Sequence, residues 1–164
     1  MIGWLLAILF ILTFGVVFFG APYVPTKQKD VERLFELVDF DGGRLVDFGA
    51  GDGRLMLAAA KRGIESSGWE LSPVIWLIAW LRLRRYRREA QLHFGSFWRA
   101  RLPDDTTAVF TFLVGHQMKK LERLVEKEAG RLNRPIRLIS YGFDLADRTP
   151  EKQQDALIVY RFEP

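Results

Sequence analysis

Residues 45–61 read LVDFGAGDGRLMLAAAK, with glycine at 49, 51 and 53 and an acid, Asp47, two positions ahead of the first. Alternate glycines permit positive φ and leave the backbone bare, so a ligand can lie directly on the main chain. A helix-like apolar run follows from Arg54, and the start of such a helix offers free N–H groups and a partial positive charge. A carboxylate suits that end as well as a phosphate. The dinucleotide fingerprint G-x-G-x-x-G needs glycine or alanine at position 54, where this chain has arginine. A second acid, Glu70, stands 17 residues past Gly53, at the end of the next strand-like run. A carboxylate there can accept two hydrogen bonds from ribose hydroxyls. Together the loop, the helix and the acid point to a nucleoside-bearing ligand.

These groups need a frame. Strands are expected at Leu45–Phe48, Gly68–Leu71, Ala90–Phe94, Thr107–Val114, Ile136–Tyr141 and Ala156–Phe162. Helices are expected at Lys29–Val38, Arg54–Arg62, Pro73–Arg88 and Gln117–Leu132. Alternating strands and helices imply an α/β fold with a mostly parallel sheet and helices on both faces. Ligands of such sheets bind beyond the carboxyl ends of the strands, where the strand order reverses. The last two strands are separated only by a turn-rich segment, which suits an antiparallel pair at an edge.

Composition narrows the chemistry. The chain has 164 residues, 49% apolar and 27% charged, enough for one domain with a real core. It has no cysteine, which excludes disulfides, thiolate metal sites and cysteine nucleophiles. With only His93 and His116, no metal centre is expected. The net charge of +4 favours anionic surfaces without choosing between nucleic acid and lipid headgroups.

The first charged side chain is Lys27. Ile2 to Phe19 is a run of 18 residues broken only by Gly3, Thr13 and Gly15. As a helix it would reach roughly 27 Å, close to the hydrocarbon thickness of a bilayer. Trp4 and Tyr23 stand near its ends, where amphipathic rings favour the interface. A cleaved signal peptide is the alternative, but no basic residue precedes the run and Phe18-Phe19-Gly20-Ala21 is a poor cleavage site. The expected organisation is a single transmembrane helix at 1–21, a linker at 22–29 and a domain at 30–164. Basic residues on the C-terminal side place that domain in the cytoplasm.

Adding Pro22-Tyr23-Val24-Pro25-Thr26, then VDFGAGDGR, WELSP and FGSFW, the chain resembles class I methyltransferases that use S-adenosyl-L-methionine. Within that fold it is similar to the membrane-associated protein-lysine methyltransferases of the ATP synthase c-subunit and the adenine nucleotide translocase. The resemblance covers about residues 16 to 143. It implies cofactor contacts at Asp47, Gly49, Ala50, Gly51, Gly53 and Glu70, and places Tyr23 over the cofactor and the target amine. The family often has an acid where Ser96 stands, beside the adenine amine, a bond Ser96 could still make. It tends to have proline after the fourth strand, where this chain has Gly115 and His116.

The resemblance implies transfer of methyl groups to a lysine of a membrane protein. A lysine ammonium, with a pKa near 10.4, must first lose its proton. A dry channel beside a sulfonium favours that loss through like charge and desolvation, so no dedicated base is required. Tyr23 and His116 are the candidates for positioning the acceptor. Tyr141 reads as core or rim packing, and His93 as a packed or edge residue. The five arginines from Arg82 to Arg88 follow an apolar helix and suit a bilayer surface; nucleic acid is not expected there. Rival readings are a methyltransferase for a lipid or small hydrophobic molecule, a non-catalytic adenosyl-ligand-binding module, and NAD binding.

Overall fold

The computed structural model describes residues 3–4 and 26–164. Apart from Gly3 and Trp4 the expected membrane stem lies outside them, as do residues 22–25 of the expected linker, Tyr23 among them. Among the described residues no helix is long and apolar enough to cross a membrane.

The domain runs α1 (Gln28–Leu37), β1 (Arg44–Phe48), α2 (Arg54–Ala60), β2 (Ser66–Glu70), α3 (Pro73–Arg82), β3 (Ala90–Phe94), β4 (Thr106–Thr111), α4 (Met118–Leu132), β5 (Ile136–Tyr141), β6 (Lys152–Gln154) and β7 (Leu157–Phe162). The seven strands lie in the order β3-β2-β1-β4-β5-β7-β6. β1 to β5 are parallel, and β7 is antiparallel to β5 and β6. The order reverses between β1 and β4, so the ligand crevice of this sheet opens at their carboxyl ends.

Alternation along the strands divides the core in two, because successive side chains point to opposite faces. Leu45, Ala108, Phe110, Ile139 and Val159 pack with Val31 and Leu34 of α1 and Leu55 and Ala59 of α2. Val46, Phe48, Val109, Leu138 and Tyr160 pack with Leu121 and Val125 of α4 on the other face. Asp47 shares the face of Leu45, the α1–α2 side. Gly68 of β2 faces the same way, and a Cβ there would stand 2.5 Å from Met56 Sδ and 2.9 Å from Ala50 Cβ. Only glycine lets α2 sit this close to the sheet.

Some elements differ from the sequence expectation by more than a residue; β2, for one, begins at Ser66 and not at Gly68. α2 ends at Ala60 and a turn covers Lys61–Gly63, where Gly63 takes φ 73°. α3 ends at Arg82, not Arg88. Leu83 turns inward to the core, Tyr86 N–H bonds back to its carbonyl, and the arginines lie on turns leading to β3. β4 ends at Thr111, because Gly115–Gln117 winds into a 3-10 turn ahead of α4. The last pair is antiparallel as expected, but β7 is not the edge. Residues 152–154, all exposed and without an apolar face, pair outside it as β6.

Candidate active site

β1 ends under the glycine loop, and the loop is fastened to β2. Trp69 C=O accepts hydrogen bonds from Gly49 N–H (3.1 Å) and Ala50 N–H (2.9 Å). Gly49, Gly51 and Gly53 all take positive φ, 93°, 54° and 76°, which an L side chain rarely adopts. Their environments differ. A Cβ on Gly53 would press on Ala79 and Leu83 of the α3 region at 3.2 Å, whereas one on Gly49 would meet nothing within 4 Å. Gly53 is thus glycine for packing, and Gly49 faces open space where a ligand can approach.

Glu70, at the end of β2, reaches onto the loop. Its Oε2 accepts from Gly51 N–H at 3.0 Å and its Oε1 from Ser72 N–H at 2.7 Å. Each oxygen keeps a second lone-pair direction, so the carboxylate can still accept from a vicinal diol. Burial pushes its pKa up, while those backbone N–H groups oppose the rise. Asp47 lies deeper, 2% exposed, and its Oδ1 is buried without a partner. Burial, then the charges of Glu70 and Asp52, push its carboxyl up to about 8. An acid in this state lacks a cation. An ammonium donor would supply one, which is the chemistry of the methionine end of S-adenosyl-L-methionine.

Two arginines brace the loop, a role the sequence reading did not assign. Asp52 pairs with Arg54 Nη2 at 2.8 Å and with Arg82 Nη1. Arg82 also donates to the Asp52 carbonyl at 2.9 Å. Burial works against the Asp52 charge, but its hydrogen bonds to the two guanidinium groups win and hold its pKa below the usual carboxylate range. Arg54 Nη1 donates to Thr26 C=O at 2.9 Å. The end of the PYVPT segment is thereby joined to the glycine loop. Arg54 was visible in the sequence as the residue that breaks the dinucleotide fingerprint. Arg82 is withdrawn from the expected lipid-facing set, since its guanidinium serves Asp52.

The remaining candidates separate. Gly95 N–H donates to Glu70 C=O at 2.9 Å, so Ser96 follows directly from the end of β3 beside Glu70. Its hydroxyl is exposed and accepts from Trp98 N–H at 3.4 Å. His116 lies on the 3-10 turn after β4, on the other side of the reversal, and is exposed. Thr111 and Ser140 are paired at the carboxyl ends of β4 and β5 and are fully buried, with Thr111 Oγ1 unpartnered. Tyr141 does more than pack: its hydroxyl donates to Asp30 of α1 at 2.7 Å. Burial, then that bond, pushes the phenol up to about 12, so it is a donor and not a base. His93 is on the edge strand, stacked on Trp69 at 4.7 Å, with burial lowering its pKa. A hollow of about 580 Å³ lined by Phe35, Phe40, Arg62 and Ile64 opens before β1 and β2, at the opposite end of the sheet from this chemistry.

The family model for the ANTKMT methyltransferase domain matches residues 47–152. The chain belongs to this family. It is 33% identical over 134 residues to the human lysine N-methyltransferase of the ATP synthase c-subunit, covering 79% of this chain and 55% of that protein. The adenine nucleotide translocase lysine N-methyltransferase of Mus musculus is 33% identical over 112 residues, 65% of this chain and 48% of the relative. A protein-lysine N-methyltransferase of Saccharolobus islandicus is 27% identical, covering 80% and 82%. The chain spans about half the length of the mammalian relatives. A solved RNA methyltransferase from Salinibacter ruber, in complex with S-adenosyl-L-homocysteine, superposes with a TM-score of 0.74 at 27% identity, covering 85% of this chain and 92% of its own. The family's fold, a class I methyltransferase sheet, and its cofactor, S-adenosyl-L-methionine, are those expected from the glycine loop and Glu70.

Proposed function

We propose that this chain is a membrane-anchored, S-adenosyl-L-methionine-dependent methyltransferase acting on a lysine of a membrane protein. One observation carries the cofactor half: Glu70, the loop and the unpartnered Asp47 Oδ1 converge at the carboxyl ends of β1 and β2. When bound, the cofactor supplies an electrophilic methyl on a sulfonium. Glu70 holds the ribose, with Ser96 toward the adenine. Asp47 takes the ammonium through its free oxygen. Gly49 lets the ligand touch the backbone.

On the acceptor side the chain has to align a lysine nitrogen with that methyl, and alignment alone supplies about 7–11 kcal/mol of a displacement barrier. His116 and Tyr23 have the acceptor-positioning roles. The Thr26–Arg54 bond supports the second, since Thr26 stands three residues after Tyr23 in the sequence and is bonded beside the loop. The Ile2–Phe19 run holds the domain at the bilayer, where a membrane-protein lysine is in reach.

Incubating the full chain with membranes and methyl-labelled S-adenosyl-L-methionine tests the reading. Label on protein, with a mass step of one to three methyl groups on a single lysine, is the expected result. Label only in lipid, or only in RNA, overturns the lysine acceptor. Protection against thermal unfolding by NAD instead of S-adenosyl-L-methionine overturns the cofactor assignment. Tyr23→Phe should lower kcat and leave cofactor affinity within about twofold, as expected of a group aligning the acceptor.

A further inference from the structure

A helix on the outside of a sheet normally buries one stripe and turns charged residues outward. α3 does not. It buries Ala79, and Leu83 just past its end, yet Pro73 to Leu81 contains no charged residue. Its outward positions are apolar: Leu77, Ile78, Trp80 and Leu81 are 49, 46, 37 and 50% exposed. Phe94, at the end of edge strand β3, is 60% exposed. It meets Trp76 edge-on at 5.9 Å, and Trp76 stacks with Trp80 at 6.4 Å, so the patch is continuous. Arg84, Arg85, Arg87 and Arg88 then follow, all exposed, and no acid occurs between Ser72 and Arg88. Arg87 lies over the Trp80 ring at 4.3 Å, joining the basic turn to the apolar face.

We propose that this face rests on an anionic lipid bilayer, with the apolar side chains at the headgroup–acyl boundary and the four arginines among the phosphates. α3 is apolar on its outward side, not amphipathic, and the arginines sit on the turns after it; exposed aromatic and aliphatic groups favour the headgroup boundary, and a basic segment beside them is drawn to anionic lipid. Other occupants fit less well. Two copies of the face would bring eight arginines together against only the half-buried Glu89 that follows Arg88 in each, and like charges across an interface are costly. The chain's own Ile2–Phe19 run has no acid, and would cover the leucines while leaving the arginines uncompensated. An anionic leaflet answers both features at once.

The proposal adds a second contact to the membrane setting above and rests on that reading only for the nearness of a bilayer. It also adds an orientation. α3 begins next to Glu70, and Leu71 (37% exposed) and Phe94 stand at the same carboxyl ends of β2 and β3. The lipid contact thus starts at the rim of the cofactor site, and the acceptor lysines within reach are those at headgroup level.

The absence of native cysteine makes the test clean. Leu81→Cys, and separately Leu77→Cys, in the full chain would carry an environment-sensitive fluorophore; Lys127→Cys, exposed on α4, is the control. Flotation with phosphatidylcholine vesicles reads the N-terminal stem alone. Adding about 30 mol % phosphatidylglycerol should shift the emission at 81 and 77 to the blue and raise it severalfold, with the probe at 127 unchanged. Each arginine near an anionic surface is worth roughly fivefold in partitioning, so Arg84→Gln with Arg87→Gln should abolish most of the shift. A chain that floats while both probes stay unmoved overturns the proposal. So does a blue shift without lipid, which assigns the face to the chain's own N-terminus, or to a second copy if it grows with protein concentration. Shielding that appears only with protein-containing membranes assigns it to a protein partner. Failure to float on phosphatidylcholine, with the probe shift intact on anionic vesicles, removes the stem and leaves this face.

Discussion

The two sides of the crevice are built differently. On the β1–β2 side every functional carboxylate is buried and two of them are bonded to the loop or its flanks: Glu70 accepts from Gly51 and Ser72, and Asp52 pairs with Arg54 and Arg82, with Asp47 beneath and its Oδ1 unpartnered. On the β4–β5 side the candidate groups are hydroxyls and an imidazole. His116 is exposed, Thr111 and Ser140 are buried hydroxyls, and Tyr141 donates to the carboxylate of Asp30 on α1. The first side is pre-ordered for one ligand. The second is a sparser rim. Preorganised charge is worth most where water is excluded, so substitutions on the β1–β2 side should act on cofactor affinity and those on the β4–β5 side on turnover.

Glu70→Ala tests this contrast most severely. It removes the side-chain acceptor of two backbone N–H groups and the proposed ribose contact together, and each charge-assisted hydrogen bond is worth about 1.5–3 kcal/mol. Calorimetry should show the Kd for S-adenosyl-L-methionine rising about 100-fold, while His116→Ala leaves it within about twofold. Equal losses from the two variants would dissolve the distinction.

Asp52→Asn comes next. It removes one charge from a cluster whose arginines are about a third exposed, so solvent screening limits the cost to about 2 kcal/mol. Chemical denaturation should show that loss of stability, and cofactor affinity should fall about tenfold as the loop loosens. In the wild type this contribution is present above the ordinary carboxylate pKa and is lost as pH falls through the depressed one, so it weakens only in strong acid.

The cofactor side was the more legible one in the sequence for a physical reason. A glycine loop, its strand and its helix are contiguous in the chain, and Glu70 is one strand away, so spacing alone locates them. The parallel order of β1 to β5 followed from strand–helix alternation. What escaped depends on contacts between distant segments. Arg82 read as one of five membrane-facing arginines because its spacing says nothing of Asp52, 30 residues earlier. Tyr141 read as packing because Asp30 is 111 residues away. β6 escaped because a three-residue polar strand has no hydrophobic alternation to betray it.

Tyr141→Phe sharpens the contrast from the β4–β5 side. The hydroxyl ties β5 to α1, the helix that continues the PYVPT segment. Losing this hydrogen bond should cost about 1 kcal/mol of stability and lower kcat a few-fold, with cofactor affinity unchanged. A rise in Kd instead would mean that α1 positions the cofactor and not the acceptor.

The smallest effect is the most particular to the β1–β2 side. Asp47 is an acid whose pKa burial and neighbouring carboxylates push up to about 8. Unfolded, it titrates near 3.8, so between these values the folded state holds a proton that the unfolded state has lost. Stability contributed by this group therefore falls as pH rises through that window. Binding an ammonium against Oδ1 favours the ionised form and releases the proton. Affinity for S-adenosyl-L-methionine should accordingly increase from pH 6.5 to 8, with proton release seen as a buffer-dependent heat. Asp47→Asn should bind more weakly at pH 8 and lose both the pH slope and the buffer dependence. A wild-type affinity flat across this range would place the cofactor's ammonium elsewhere and leave Asp47 as a buried brace of the loop.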